Sequence, residues 1–230
     1  MDQYELRPPT PESVAYQEAL TLSHGGVCFS INVNSPSNTV AFGCGKNILM
    51  FNSSLQYDSH TSLDEDVRSV AHCTERNEVY YLKTSRVVEY ISAKCFAVKQ
   101  ELKRYSSTNS YQKLAVNDKY IVVSNPNGHK LHVYSFASRA SLPYLVCNDE
   151  KWLCSLKFHP DGDLLTLDID GWIRKYRIGD AEAPVLIWES RATDGTAYAL
   201  CVEWWTGLVY VTGPNNMLYI LSSGMYVITY

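Results

Sequence analysis

The stretch 152–178, WLCSLKFHPDGDLLTLDIDGWIRKYRI, holds three runs of strand length separated by two turn signals. In 152–158 the side chains alternate between two faces. Leu153, Ser155 and Lys157 fall on one; Trp152, Cys154, Leu156 and Phe158 fall on the other, which is wholly apolar. His159-Pro160-Asp161-Gly162-Asp163 then reverses the chain, since Pro fixes φ at one turn position and Gly supplies a positive φ at another. A second run covers 164–167, Asp170-Gly171 is a tight hairpin signal, and a third run covers 173–178. Three strands and two tight turns in so short a span make an antiparallel meander.

The pattern repeats along the chain. Ile48-Leu49-Met50-Phe51, Val87-Val88-Glu89-Tyr90, Leu131-His132-Val133-Tyr134, Ile173-Arg174-Lys175-Tyr176 and Leu218-Tyr219-Ile220-Leu221 superimpose as third strands, their last residues 39 to 45 positions apart. First strands are expected at 27–33, 67–72, 113–116, 152–158 and 198–204, and second strands at 39–42, 78–82, 120–124, 164–167 and 208–212. Fourth strands are placed at 55–57, 97–103, 142–146, 185–189 and 225–229. A period of 40 to 45 residues is that of a four-stranded unit which cannot bury both sheet faces alone and must stack on its neighbours.

The F-H-P-D-G-D-L-L run at 158–165, followed by D-I-D-G-W-I-R-K-Y at 168–176, resembles one blade of a WD-repeat β-propeller. The family's closing Trp-Asp pair falls on Tyr176-Arg177, and of its hydrogen-bond network only Asp170 is matched. The resemblance implies an all-β fold: a β-propeller of about five four-stranded antiparallel blades over residues 23–230. The blades form either a complete ring or an arc that another chain completes. Residues 1–22 read as an extended arm through Arg7-Pro8-Pro9, then either a short helix from Pro11 capped by Thr10 or a disordered tail.

Composition suits a sheet-rich protein: 46% hydrophobic residues, 17 Tyr and only 19% charged residues. The net charge of −4 and the modest basic run 99–104 speak against a phosphate-backbone surface. No window reaches the ~20 apolar residues of a membrane-spanning helix, and no signal peptide is recognisable. The seven Cys, odd in number and without a CxxC spacing, are expected as free thiols in an intracellular compartment, cytoplasm or nucleus.

The candidate motifs of chemistry read as turns and strand positions. Asp161 and Asp163 stand at one end of a strand, Asp168 and Asp170 at the other, about 16 Å away at ~3.3 Å per residue. That is too far for one metal site, and turn formation accounts for all four. Gly43-Cys44-Gly45-Lys46 lacks the spacer and hydroxyl of a phosphate loop. His72 and Cys73 are adjacent on a strand and point to opposite faces. No catalytic residue, metal ligand or cofactor is expected.

What remains is surface display. In the resembled family, turns between second and third strands share a partner-binding rim with the loops entering each first strand. Here that rim would carry Trp172, Lys46, Arg86, His129 and Lys130 from the turns. Asp64, Glu65, Asp66, Asp149, Glu150, Lys151 and Asp194 would come from the incoming loops. Trp172 is either a hot-spot aromatic at a turn tip or a packing residue against the next blade. The function expected is a non-catalytic protein-interaction scaffold, a subunit of a larger complex. The alternatives are an RNA-binding propeller similar to NHL domains, against which the mixed sign of the rim tells, and a propeller hydrolase. Alkylation without reductant should label every cysteine, as read by intact-mass spectrometry; a specific intrachain disulfide would contradict the free-thiol reading.

Overall fold

The computed structural model describes residues 28–34, 39–52, 57–85, 87–92, 99–104, 113–125, 130–137, 140–141, 145–146, 152–179, 183–203, 205–214, 217–222 and 227–229. These are all-β and form five antiparallel sheets in chain order. The first sheet is β1 (Cys28–Asn34), β2 (Thr39–Cys44), β3 (Asn47–Phe51) and β4 (Tyr57–Ser62). The second is β5 (Val67–Cys73), β6 (Glu78–Lys83), β7 (Val87–Ser92) and β8 (Lys99–Arg104). The third is β9 (Leu114–Val116), β10 (Tyr120–Asn125) and β11 (Lys130–Ser135), with the short β12 (Ala140–Ser141) and β13 (Leu145–Val146) both on β11. The fourth is β14 (Leu153–Phe158), β15 (Leu164–Asp168), β16 (Trp172–Arg177) and β17 (Val185–Arg191). The fifth is β18 (Ala199–Val202), β19 (Val209–Thr212), β20 (Leu218–Leu221) and β21 (Val227–Thr229). Each sheet is thus a meander, as the repeats require.

The largest displacement from expectation is β4, expected at 55–57 and found at Tyr57–Ser62. Its sequence, YDSHTS, carries no apolar alternation, so nothing in periodicity marks it. The third sheet departs from four strands because β11 pairs with two short segments. The arm and helix considered within 1–22 lie outside the described residues.

Four apolar clusters join each sheet to the next. Ile48 and Met50 of the first sheet pack with Val70, Val79 and Tyr81 of the second. Tyr80, Leu82 and Val88 of the second meet Leu114, Ile121 and Val123 of the third. Val122, Leu131 and Val133 of the third meet Leu156, Leu164 and Tyr176 of the fourth, and Leu165, Leu167 and Ile173 of the fourth meet Leu200, Val209 and Val211 of the fifth. A fifth cluster, Val40, Cys44, Leu49 and Phe51, lies on the far face of the first sheet. The far face of the fifth sheet leaves Ala199, Cys201 and Leu218 exposed.

The first strands lie side by side in the order β1, β5, β9, β14, β18. Each is the edge of its own sheet, so its outer N–H and C=O groups have no ladder partner. Polar side chains from the preceding sheet meet several of them. Ser30 Oγ accepts the Val70 N–H at 3.0 Å, Asn32 Oδ1 accepts the His72 N–H at 3.3 Å, and Ser69 Oγ accepts the Leu114 N–H at 3.2 Å. Between the fourth and fifth sheets, Ser155 Oγ donates to the Leu200 carbonyl at 3.4 Å and Cys154 Sγ to that of Ala197 at 3.2 Å. Both members of these pairs rise together in sequence, so β1 and β5 run parallel, as do β14 and β18.

The serines owe their aim to a repeated irregularity. The register with the second strand shifts between Cys28 and Ser30, between Val67 and Ser69, and between Leu153 and Ser155. A bulge of this kind re-aims the side chains that follow it. It also corrects the strict alternation expected over 152–158. Leu153 packs with Leu156 and Phe158 toward the third sheet, whereas Cys154 turns toward the fifth.

Replacing Ser69 by Ala leaves the buried Leu114 N–H without an acceptor and should cost about 1–3 kcal/mol in urea unfolding. Ser62→Ala, at an exposed hydroxyl that donates to the side chain of Asn47, should cost no more than about 0.5 kcal/mol. Equal losses would remove the special role of the inner-edge serines.

Candidate interaction face and central cavity

The parallel first strands give the molecule two ends. One carries the hairpins between second and third strands together with the loops that enter each first strand. The other carries the turns that leave the first strands.

At the first end, incoming loops are pinned to hairpins of the preceding sheet. Leu63 and Val67 donate backbone hydrogen bonds to the carbonyls of Lys46 and Gly45 at 2.7 and 2.8 Å. Two sheets of separation later the geometry recurs: Ala192 N–H meets Gly171 O at 2.7 Å and Ala197 N–H meets Ile169 O at 2.9 Å. Gly171 has φ 84°, and a Cβ there would stand 2.2 Å from Thr193 Oγ1, so the hairpin glycine is required by both conformation and space.

Ion pairs reinforce the same end. Lys83 Nζ lies 3.0 Å from Asp64 and 2.8 Å from Glu89, whose other oxygen accepts the Tyr81 hydroxyl at 2.7 Å. Glu65 accepts from Thr84 Oγ1 and the Ser85 N–H. In the fourth sheet Arg174 lies 2.8 Å from Asp168 and 3.0 Å from Glu189. Lys83 and Glu89 thus occupy the places of Asp168 and Arg174 with the charges exchanged. Asp168 Oδ1 also accepts the N–H groups of Asp170 and Trp172 at 3.0 and 2.9 Å. Asp168 therefore organises this hairpin.

Of the rim residues named from sequence, Lys46 is exposed on the β2–β3 hairpin and Lys130 is half-buried at the start of β11. Trp172 is half-buried, with the Arg174 guanidinium 5.9 Å from its ring centroid, at the outer reach of a cation–π contact. Arg86, His129 and Lys151 lie outside the described residues, as do Asp149 and Glu150. Asp64 and Glu65 are engaged in holding the second sheet's hairpin. Two aromatics that sequence reading assigned to strands stand out instead: Trp152 is 53% exposed and Tyr198 60% exposed, each just before a first strand. They are neighbours, because Ile169 receives the Trp152 carbonyl on its N–H and gives its own carbonyl to Ala197, next to Tyr198. No signal in the sequence set them apart, since its pattern places both within their strands.

At the second end a cavity of about 450 Å³ is lined from all five sheets, by Asn32, His72, Ala115, Lys157 and Cys201 among others. Burial draws the His72 imidazole down to about 4, leaving it neutral at pH 7. Lys157 is half-buried; burial lowers its ammonium's pKa, the Cys201 thiol opposes this, and the charge of Lys113 adds to it. At the rim of the cavity, Asp161 is 2.8 Å from His159 Nδ1 and contacts Lys175. Burial works against its ionisation, but hydrogen bonds from Lys175, the Asp163 N–H and His159 outweigh that and hold it near 2. Trp205, on the β18–β19 turn at this end, is 71% exposed. Asp161 and Asp163 pair here with Lys175 and Arg177, and Asp168 pairs at the opposite end, so the four aspartates form no joint site. Among the described residues no group of three His, Cys, Asp or Glu could hold a metal ion.

In comparisons with known proteins, no family model matches the chain and no curated protein matches its sequence.

The folded His72 resists a proton that the unfolded chain accepts below about pH 6.5. Stability present above that pH should therefore fall progressively as pH drops toward 4. His72→Gln should flatten this limb in urea titrations at pH 7, 5.5 and 4.5. Parallel curves for the two proteins would show that His72 is not desolvated.

Proposed function

We propose that the chain is a propeller-type interaction scaffold of the WD-repeat-like kind, a non-catalytic subunit of a larger intracellular assembly. The observation that carries this reading is the succession of first strands from all five sheets, side by side and around one cavity. Four-stranded units stacked in this way present rigid hairpins and loops at two ends. A rigid loop set on a packed scaffold is a common platform for partners.

The partner face in this reading is the end that carries Lys46, Lys130 and Trp172, centred on Trp152 and Tyr198. Large aromatics that are exposed together and flanked by charge suit a protein interface, where Trp and Tyr supply most of the hot spots. The seam between the first and fifth sheets is a second point of contact. Ile31, Ala199, Cys201 and Leu218 are exposed there, and an element of a partner chain would complete the ring. RNA binding is the other reading, and the same experiment decides it.

Affinity capture from the source cells should recover a stoichiometric protein partner that survives nuclease treatment. Trp152→Ala or Tyr198→Ala should each weaken its binding about thirtyfold, some 2 kcal/mol, without lowering the melting temperature. Trp172→Ala should lower both, because its ring is half-buried. Phe158→Ala, which opens the core between third and fourth sheets, should lower stability alone. Loss of capture on nuclease treatment would favour the RNA reading, and undiminished binding by both aromatic variants would remove this face.

A further inference from the structure

β17 is the outermost strand of the fourth sheet, paired with β16 and, among the described strands, with no other. Its outer N–H and C=O groups form a row along the seven residues Val185–Arg191. The outer strands of the other sheets carry features that discourage pairing. β4 reads YDSHTS and β8 reads KQELKR, neither with two adjacent apolar residues. β12 and β13 have two residues each, and β21 has three. β17 reads VLIWESR, with no charge or proline in its first four residues. Val185, Leu186 and Ile187 are 55, 45 and 41% exposed. Trp188 packs against the cluster between the fourth and fifth sheets, and the exposed Glu189 and Arg191 follow toward the hairpin end, where Arg191 lies opposite Trp172. The pairing with β16 shifts register between Lys175 and Tyr176, but β4 and β8 have a shift at the like place. Side-chain chemistry, not backbone shape, sets β17 apart.

A row of unpaired main-chain donors and acceptors is complementary to another extended backbone, and the side chains beside it select which one. We propose that β17 is a docking edge that takes an extended segment of a different protein as a fifth strand of the fourth sheet. A second copy of this chain fits the edge poorly. The antiparallel register in which two β17 strands overlap fully sets Val185 against Arg191 and Ile187 against Glu189, so apolar groups meet charges at both ends. The segment that fits runs antiparallel to β17. It places an acid opposite Arg191, a base opposite Glu189, and apolar or β-branched residues opposite 185–188. Opposite-charge and β-branched pairs across strands are the ones that stabilise a sheet. This margin is separate from the aromatic pair Trp152 and Tyr198, so docking here does not rest on the partner face proposed above.

The test uses a synthetic peptide, acetylated and amidated, of sequence Glu-Thr-Lys-Val-Thr-Val-Val, titrated into the full chain. Binding is read by fluorescence anisotropy of the dye-labelled peptide, and its place by amide hydrogen exchange. The peptide should bind saturably, and amides within 185–191 should gain protection while those of β4 and β8 do not. A peptide of the same sequence with an N-methylated backbone should not bind, because its main-chain donors are gone. Ile187→Lys should abolish binding without lowering the melting temperature, since a lysine on an edge strand blocks pairing at an exposed position. Arg191→Glu should weaken binding, and a peptide that begins with Lys in place of Glu should restore it. Trp152→Ala should leave peptide binding unchanged, which separates this edge from the hairpin face. Absence of saturable binding, protection confined to other strands, or binding unaltered in both Ile187→Lys and Arg191→Glu would overturn the proposal. So would concentration-dependent dimerisation of the free chain in sedimentation that Ile187→Lys removes, because the edge would then belong to a second copy. If Ile187→Lys fails to fold, the charge rescue at Arg191 and the N-methylated peptide decide: no rescue, or undiminished binding of the methylated peptide, rules out strand addition at β17.

Discussion

The first strand of every sheet is an edge, and the fold depends on how that edge is satisfied. A row of unpaired N–H and C=O groups facing another such row would be costly if buried dry and adhesive if exposed. The side chains of Ser30, Asn32, Ser69 and Ser155 reach across to backbone groups of the next first strand. The three serines follow a register shift at the same place in their strands. The irregularity therefore has a consequence for the whole molecule. It orients a short hydroxyl toward the neighbouring sheet, fixes the parallel run of first strands, and leaves their remaining faces to line a shared cavity.

Outward from that axis the sheets are held by different means at different depths. Between them lie apolar clusters in which Ile48, Leu82, Leu164 and Val211 are fully buried. At the hairpin end, where apolar cover thins, Lys83 with Glu89 and Arg174 with Asp168 join adjacent strands of one sheet. Buried pairs of this sort add little net stability over apolar residues of similar volume, but removing one partner is expensive. The charge sign is exchanged between the two sheets, and the equivalent positions of the first sheet hold Cys44 and Leu49, so the place accepts an ion pair of either order or apolar packing. Backbone hydrogen bonds from 63 and 192 to the preceding hairpins then tie the loops after β4 and β17 to the sheets behind them.

This arrangement separates two kinds of surface. The hairpin end is mixed in charge and exposes Trp152 and Tyr198. The turn end opens into a space shared by all five sheets, where neutral His72 lies with Lys157, Glu75, Asp118 and Glu203.

The sequence by itself determined the number, order and kind of the units. Period-2 patterning, Asp-Gly and Pro-Asp-Gly turns and a spacing of 40 to 45 residues are local properties, and local chemistry decides strand and hairpin formation. It also marked Trp172 and Lys46 as belonging to one end, because hairpin topology alone sets that. It could not place β4, whose polar side chains carry no periodic signal, nor foresee that a bulge turns Cys154 away from Leu156. Above all it could not show which residues of distant units meet. Trp152 and Tyr198 are 46 positions apart, and only the stacking of sheets, through the backbone of Ile169, brings them to one place. Alternation records which face a side chain takes; what waits on that face is fixed by tertiary packing, because neighbouring sheets supply it.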